Sequence, residues 1–209
     1  MVERSRPNGL SNTMERTRTA IVTAARDLAD TGAEITMPAV AAHARVSEAT
    51  AYRYFPDLVT LLRAAVMTQD LVEVLRSRTD SDDPVERIGQ AAEVLGRAVL
   101  RRQGAVRAVV AATIAKPSTS KDRPAHRFGL IEHALAPWAA RCGPEHRATV
   151  DQLVRGLALV ISAESLFALL DLCGLTPDEA VASLVTTARQ MTAAAVATVS
   201  TGPAMDGAS

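Results

Sequence analysis

Positions 47 to 55 of this chain read Ser-Glu-Ala-Thr-Ala-Tyr-Arg-Tyr-Phe, and Pro56 follows. Ser47 is a good helix cap, and the residue before a proline is pushed out of helical geometry, so a short helix is predicted to run to about Tyr54. At 100° per residue, Ala51 and Phe55 turn inward with Val46, while Glu48, Ala49, Tyr52 and Arg53 turn outward. An outward tyrosine and arginine beside small residues is an odd surface for a structural helix. It suits entry into the major groove of DNA, about 12 Å wide, where Arg53 can address guanine or phosphate and Glu48 can accept from cytosine. The hydroxyls of Tyr52 and Tyr54 can donate to phosphates. Thr36 and Ser47 each lead a helix whose first amides favour anions. The plainer reading of the two tyrosines is packing or solvent exposure, and spacing alone does not choose.

The elements that must position these groups are legible on either side. Thr36 can cap a second short helix, with Met37, Val40, Ala41 and Ala44 at helical spacing and Pro38 tolerable in the first turn. Arg45 and Val46 then form a tight connection. Two short helices joined in this way match a helix-turn-helix. A longer helix precedes them from about Met14, with Ile21, Ala24, Ala25 and Leu28 on one face and Gly32 where a C-terminal stop is expected. Asp57 can cap a following helix, with Leu58, Leu61, Leu62, Ala65 and Val66 on its inner face.

Beyond this segment the patterns stay helical. Asp83-Pro84-Val85-Glu86 opens a helix to about Gln103, and another runs from Ala105 to Ala115. Lys116 to Pro124 reads as a loop. A helix from Ala125 to Arg141 ends at Cys142-Gly143-Pro144, and a single long helix is predicted from Glu145 to Leu172. Thr176-Pro177-Asp178-Glu179 repeats the capping signature before a last helix, striped with Val181, Leu184, Val185, Ala188, Met191 and Ala195. That stripe, with the apolar face of the helix before it, fits a monomer core or a dimer interface, and spacing does not separate the two. Residues 1–12 read as a flexible arm and 201–209 as a frayed tail. The expectation is an all-α protein of about nine helices without strands.

Bulk properties narrow the function. Lys and Arg number 23, as do Asp and Glu, so the net charge is zero and a non-specific nucleic-acid coat is disfavoured. A local patch remains: Arg4, Arg6, Arg16, Arg18 and Arg26 face Glu3 and Glu15, although Arg4 and Arg6 read more simply as a solvated tail. Cys142 and Cys173 read as reduced thiols. Cys142 with His146, or His126 with His133, could be imagined around a metal, but Gly143 and Pro144 break the shared face of the first pair. No metal and no cofactor are expected. The charged first thirty residues do not form a signal peptide, and the apolar run from Leu157 to Leu172 is too short and polar to span a bilayer, so a cytoplasmic protein is expected. No acid-base pair, nucleophile elbow or phosphate loop points to an enzyme.

The run from Thr36 to Asp57, with its Val-Ser-x-x-Thr-x-Tyr-x-Tyr-Phe core, resembles the DNA-binding signature of the TetR family of regulators; the likeness covers about Thr13 to Met67. The resemblance adds Thr50 to the expected DNA-binding set of Thr36, Ser47, Glu48, Ala49, Tyr52, Arg53 and Tyr54. It implies a DNA-binding domain at 13–60 and a ligand-binding and dimerisation domain at 61–200. It further implies a homodimer joined through its last two helices, bound to a palindromic operator, and usually a repressor released by a small molecule. Two residues depart from the family pattern. Arg45 stands where glycine is usual in the turn, and Leu58 stands where a phosphate-binding lysine is usual. The N-terminal arginines, Arg18 among them, are candidates to compensate.

Candidate pocket residues are Phe128, His133, Trp138, Glu164 and Phe167, although ordinary core is the plainer reading for each. Glu164, a carboxylate within an apolar stretch, needs a partner and would favour a cationic ligand if it faced a pocket. Two alternatives stay open: a small-molecule-binding protein that retains the N-terminal fold, and a regulator controlled by a protein partner.

Overall fold

The computed structural model describes residues 9–32, 34–66, 70–115 and 126–201. Among them are eleven α-helices and a short 3-10 turn, with no strand. The helices are α1 Gly9–Thr31, α2 Met37–His43, α3 Glu48–Tyr54, α4 Leu58–Val66, α5 Leu71–Arg76, α6 Pro84–Arg101, α7 Gln103–Ala115, α8 His126–Ala139, α9 Arg147–Val160, α10 Ala163–Asp171 and α11 Pro177–Ser200. The all-α expectation holds, with two more helices than predicted.

Both extra helices come from hydrogen-bonding side chains that start a new turn. Asp70 accepts from the amides of Val72 and Glu73 and so opens α5. Ser162 is extended (φ −145°, ψ 156°), and its hydroxyl accepts from the Ser165 amide, so α10 starts afresh there. The single helix expected from Glu145 to Leu172 is therefore broken after Val160, and the two pieces meet at 45°. A serine that captures a backbone amide offers the chain an alternative to the helical ladder, and here it wins. At the N-terminus, α1 begins at Gly9, so 9–12 are helical rather than part of an arm. Residues 1–8, the loop call at 116–124 and residues 202–209 of the tail lie outside the described residues.

The chain divides into two compact units, one of Met1–Thr68 with Arg101–Ser118 and the other of Gln69–Leu100 with Thr119–Ser209. In the first unit, Ile21, Ala25, Val40, Ala41, Ala51, Phe55 and Leu61 form a buried cluster shared by α1 to α4. A second cluster joins Ala29 and Leu62 to Ala105 and Val109, which brings α7 into this unit. The Arg102 guanidinium donates to both carboxylate oxygens of Asp30, at 2.6 and 3.2 Å, and ties the start of α7 to the end of α1.

In the second unit α9 packs on α8 and α11, α10 on α11, and α5 on α8. Its buried residues include Ile88, Leu130, Ile131, Leu135, Leu157, Leu166 and Leu184. Pro137 lies inside α8 and has no amide hydrogen, so the His133 carbonyl four residues earlier loses its helical donor. Arg87 of α6, itself buried, supplies one: its Nη2 donates to the His133 carbonyl at 3.0 Å. Its Nε donates to the Ala134 carbonyl at 2.8 Å and its Nη1 to the Ser81 carbonyl at 3.1 Å. No single helix among the described residues is long and apolar enough to cross a membrane.

Candidate nucleic-acid interface

The helix-turn-helix is fixed at every joint by the groups its sequence supplies. Gly32 stops α1 with a left-handed φ of 71°, a conformation glycine reaches without a Cβ penalty. Thr36 Oγ1 accepts from the Ala39 amide to cap α2, and Ser47 Oγ accepts from the Thr50 amide to cap α3. Phe55 is extended and ends α3 ahead of Pro56. Asp57 Oδ1 accepts from the Thr60 amide at 2.7 Å at the head of α4. This bond holds the Asp57 carboxyl below the usual aspartate value, with Arg63 adding a smaller pull in the same direction.

The turn between α2 and α3 closes without glycine. Arg45 donates its amide to the Ala42 carbonyl, and Val46 donates to the Ala41 carbonyl. These are the paired bonds of a Schellman ending, with Arg45 at the left-handed position (φ 56°). Among the described residues it is the sole non-glycine with positive φ. A Cβ there costs about 1 kcal/mol.

On α3, Ala51 is fully buried and Phe55 nearly so, which clamps the inner face to the core. Glu48, Ala49, Tyr52 and Arg53 are exposed, and Tyr52 leaves 49% of its surface open. Ser47 is exposed too, and Thr36 and Thr50 are half-buried. Tyr54 differs from Tyr52: it is half-buried and packs against the core cluster. The Arg53 guanidinium lies 5.6 Å from the centre of the Tyr54 ring. Arg18, the suggested compensating cation, lies 5.3 Å over the Phe55 ring. Leu58 is half-buried and packs against both clusters of its unit, so an apolar contact fills the place where a phosphate ligand was in question. The structure therefore presents one outward face, Glu48, Ala49, Tyr52 and Arg53, on a helix whose other side is fully engaged.

Residues 21–65 match the model of the family described as "Bacterial regulatory proteins, tetR family". Over this segment the chain is similar to the TetR family of bacterial regulators. The fold of the chain is similar to that of a tetR-family transcriptional regulator from Streptomyces coelicolor, with a TM-score of 0.61 at 21% identity over 88% of this chain and 83% of that one. It is also similar to a TetR transcriptional regulator from Rhodococcus sp. RHA1, with a TM-score of 0.53 at 21% identity over 85% of this chain and 96% of that one. No curated protein is matched significantly by sequence.

The five candidate ligand residues do not share one helix face. Phe128, His133 and Trp138 stand five residues apart on α8, so they fan around it: Phe128 and Trp138 lie about 80° apart and His133 about 140° from either. Phe128 is 42% exposed, whereas Trp138 and Phe167 are buried at 6% and 7%. His133 is half-buried, and burial, with Arg76 and Arg87 nearby, pushes its imidazole below the usual histidine range. Glu164 is in the first turn of α10 rather than inside a continuous apolar helix, and it is exposed. Burial alone would raise its carboxyl, but its own backbone amide and Arg127 outweigh that and hold it below the usual glutamate range. Arg127 donates to it through Nη1 and Nη2 at 3.2 and 3.3 Å. A carboxylate already matched by a guanidinium has little charge left for a cationic ligand.

An open groove of about 560 Å³ lies elsewhere in the same unit, lined by Ala148, Thr149, Gln152, Leu153 and Gly156 of α9 and by Met191, Ala194 and Ala195 of α11. None of the five ligand candidates lines it. Sequence reasoning had Met191 and Ala195 in the stripe of the last helix and paired that stripe with the apolar face of the helix before it, but it named no residue of the α9 wall. The signal was present in the small residues Ala148, Thr149 and Gly156, spaced so that they share one side of that helix.

Proposed function

We propose that the chain recognises a palindromic operator as a homodimer and acts as a repressor released by a small molecule bound in its second unit. The observation that carries this reading is the outward face of α3. Its tyrosine and arginine are exposed to solvent while Ala51 and Phe55 lock the opposite face, the arrangement a recognition helix needs to enter a groove without bending. Thr36, Ser47 and Thr50 order the two helix starts around it, and Tyr54 contributes through its hydroxyl while its ring stays packed. Two-fold symmetry would place two such helices in successive major grooves about 34–36 Å apart. The groove between α9 and α11, small and apolar in its lining, supports a second copy packing through these helices. The ligand's contacts come from a subset of Phe128, His133, Trp138, Glu164 and Phe167, with Phe128 and Trp138 the pair on α8 that can face one molecule. Release then needs a ligand that favours one dimer geometry over another, with a coupling of about 1–3 kcal/mol.

Selection from a random pool of duplexes, followed by gel shift on the enriched sequence, tests the DNA reading. An enriched palindrome is expected, and Tyr52→Ala should weaken its binding at least about tenfold, or 1.4 kcal/mol. A wild-type protein that enriches no duplex overturns the proposal.

A further inference from the structure

Among the described residues of this unit, Arg45 is the one position that accepts an unfavourable backbone conformation. It sits at φ 56° between α2 and α3, where glycine would satisfy the same two turn bonds without strain. A strained non-glycine residue invites the question of what its side chain supplies. Core packing is not the answer, because Arg45 is exposed. Neither is an internal pairing. Arg26 pairs with Asp27, Arg102 with Asp30, and Arg18 and Arg53 lie over aromatic rings, but the Arg45 guanidinium has no such partner among the described residues. What remains is a fully charged side chain held at the joint of the helix-turn-helix. Its Cα is within about 7.6 Å of that of Ser47, the cap of α3, since each peptide advances the chain by at most about 3.8 Å. A helix in the major groove is flanked by phosphates, and a guanidinium suits them because its planar fork matches their oxygens.

We infer that Arg45 is a phosphate contact that fixes the register of α3 on the duplex. The inference rests on the DNA-binding reading above. It assigns Arg45 to the backbone-positioning class of contacts, which carry affinity and orientation but no sequence information.

The test measures affinity against salt for wild type, R45Q, R45G and R45K, each on the duplex enriched by wild type and on a mixed-sequence duplex of equal length. Each neutralised phosphate contributes about 0.9 to the slope of log K on log salt. R45Q and R45G should both flatten the slope by about that amount per bound copy, on both duplexes, whereas R45K keeps most of it. R45G should also raise the melting temperature. An unchanged slope in R45Q and R45G overturns the inference while leaving the DNA-binding reading intact. A loss confined to the enriched sequence overturns it as well, because Arg45 would then be reading bases. A wild type that enriches no duplex removes both readings together.

Discussion

The Asp57 carboxylate shows how a single side chain serves this fold. It accepts from the Thr60 amide at 2.7 Å and so caps α4, the helix that carries Leu61 and Leu62 into the two clusters of the first unit. Its carboxyl titrates below the usual aspartate value because the bond requires the ionised form. In the unfolded chain the group returns to about 3.9. The stabilisation is therefore complete above that value and is lost as the pH falls through the lower, folded one. Asp57→Ala should cost about 1 kcal/mol at neutral pH. Thermal melts of the two proteins should converge as the pH falls through the lowered folded-state value; curves that stay parallel throughout the acid range would show that Asp57 acts through something other than its charge. Tyr52 and Tyr54 make the complementary point. Both were read as phosphate donors, yet Tyr52 is half open to solvent and Tyr54 rests on the core.

Helix ends were the most readable elements, because capping chemistry is local. Thr36, Ser47, Asp57 and Thr176 each sit where they were placed as caps, and the last forms the complete reciprocal pair with Glu179. The face of α3 was readable for the same reason: seven residues with one fixed period leave little freedom. What escaped were one local competition between cap and ladder and one feature decided at long range. The break at Ser162 depended on whether its hydroxyl would take a backbone amide or leave it in the ladder, which local sequence does not settle. Pro137 could stay inside α8 because Arg87, fifty positions earlier in sequence, answers the carbonyl it orphans. Arg87→Met should accordingly destabilise the protein by about 2–4 kcal/mol, since buried carbonyls lose charged donors. In a Pro137→Ala background, where an amide is available to His133, the same substitution should cost less. Urea unfolding of the four proteins would reveal that coupling, and strict additivity would argue that Arg87 and Pro137 act independently.

At the scale of the molecule, the stripe of the last helix resolves into two uses. Val181, Leu184 and Ala188 are buried, while Met191, Ala194 and Ala195 line the groove with α9. If a second copy fills that groove, Ala194→Glu should give a protein of unchanged helicity that sediments as a monomer and loses most of its DNA affinity, because each half-site is then bound alone. A variant that sediments and binds as wild type does would locate the subunit contact elsewhere. The placement of α7 bears on a different matter. The first unit is not a contiguous stretch of sequence: Ala105 and Val109 return to cover Ala29 and Leu62 after the chain has already built α5 and α6. A fragment trimmed after α4 would expose that seam to water and lose the Arg102 anchor on Asp30. The DNA-reading portion is thus a poor candidate for transplantation onto another sensor by simple fusion, and any chimera needs its crossover placed beyond α7.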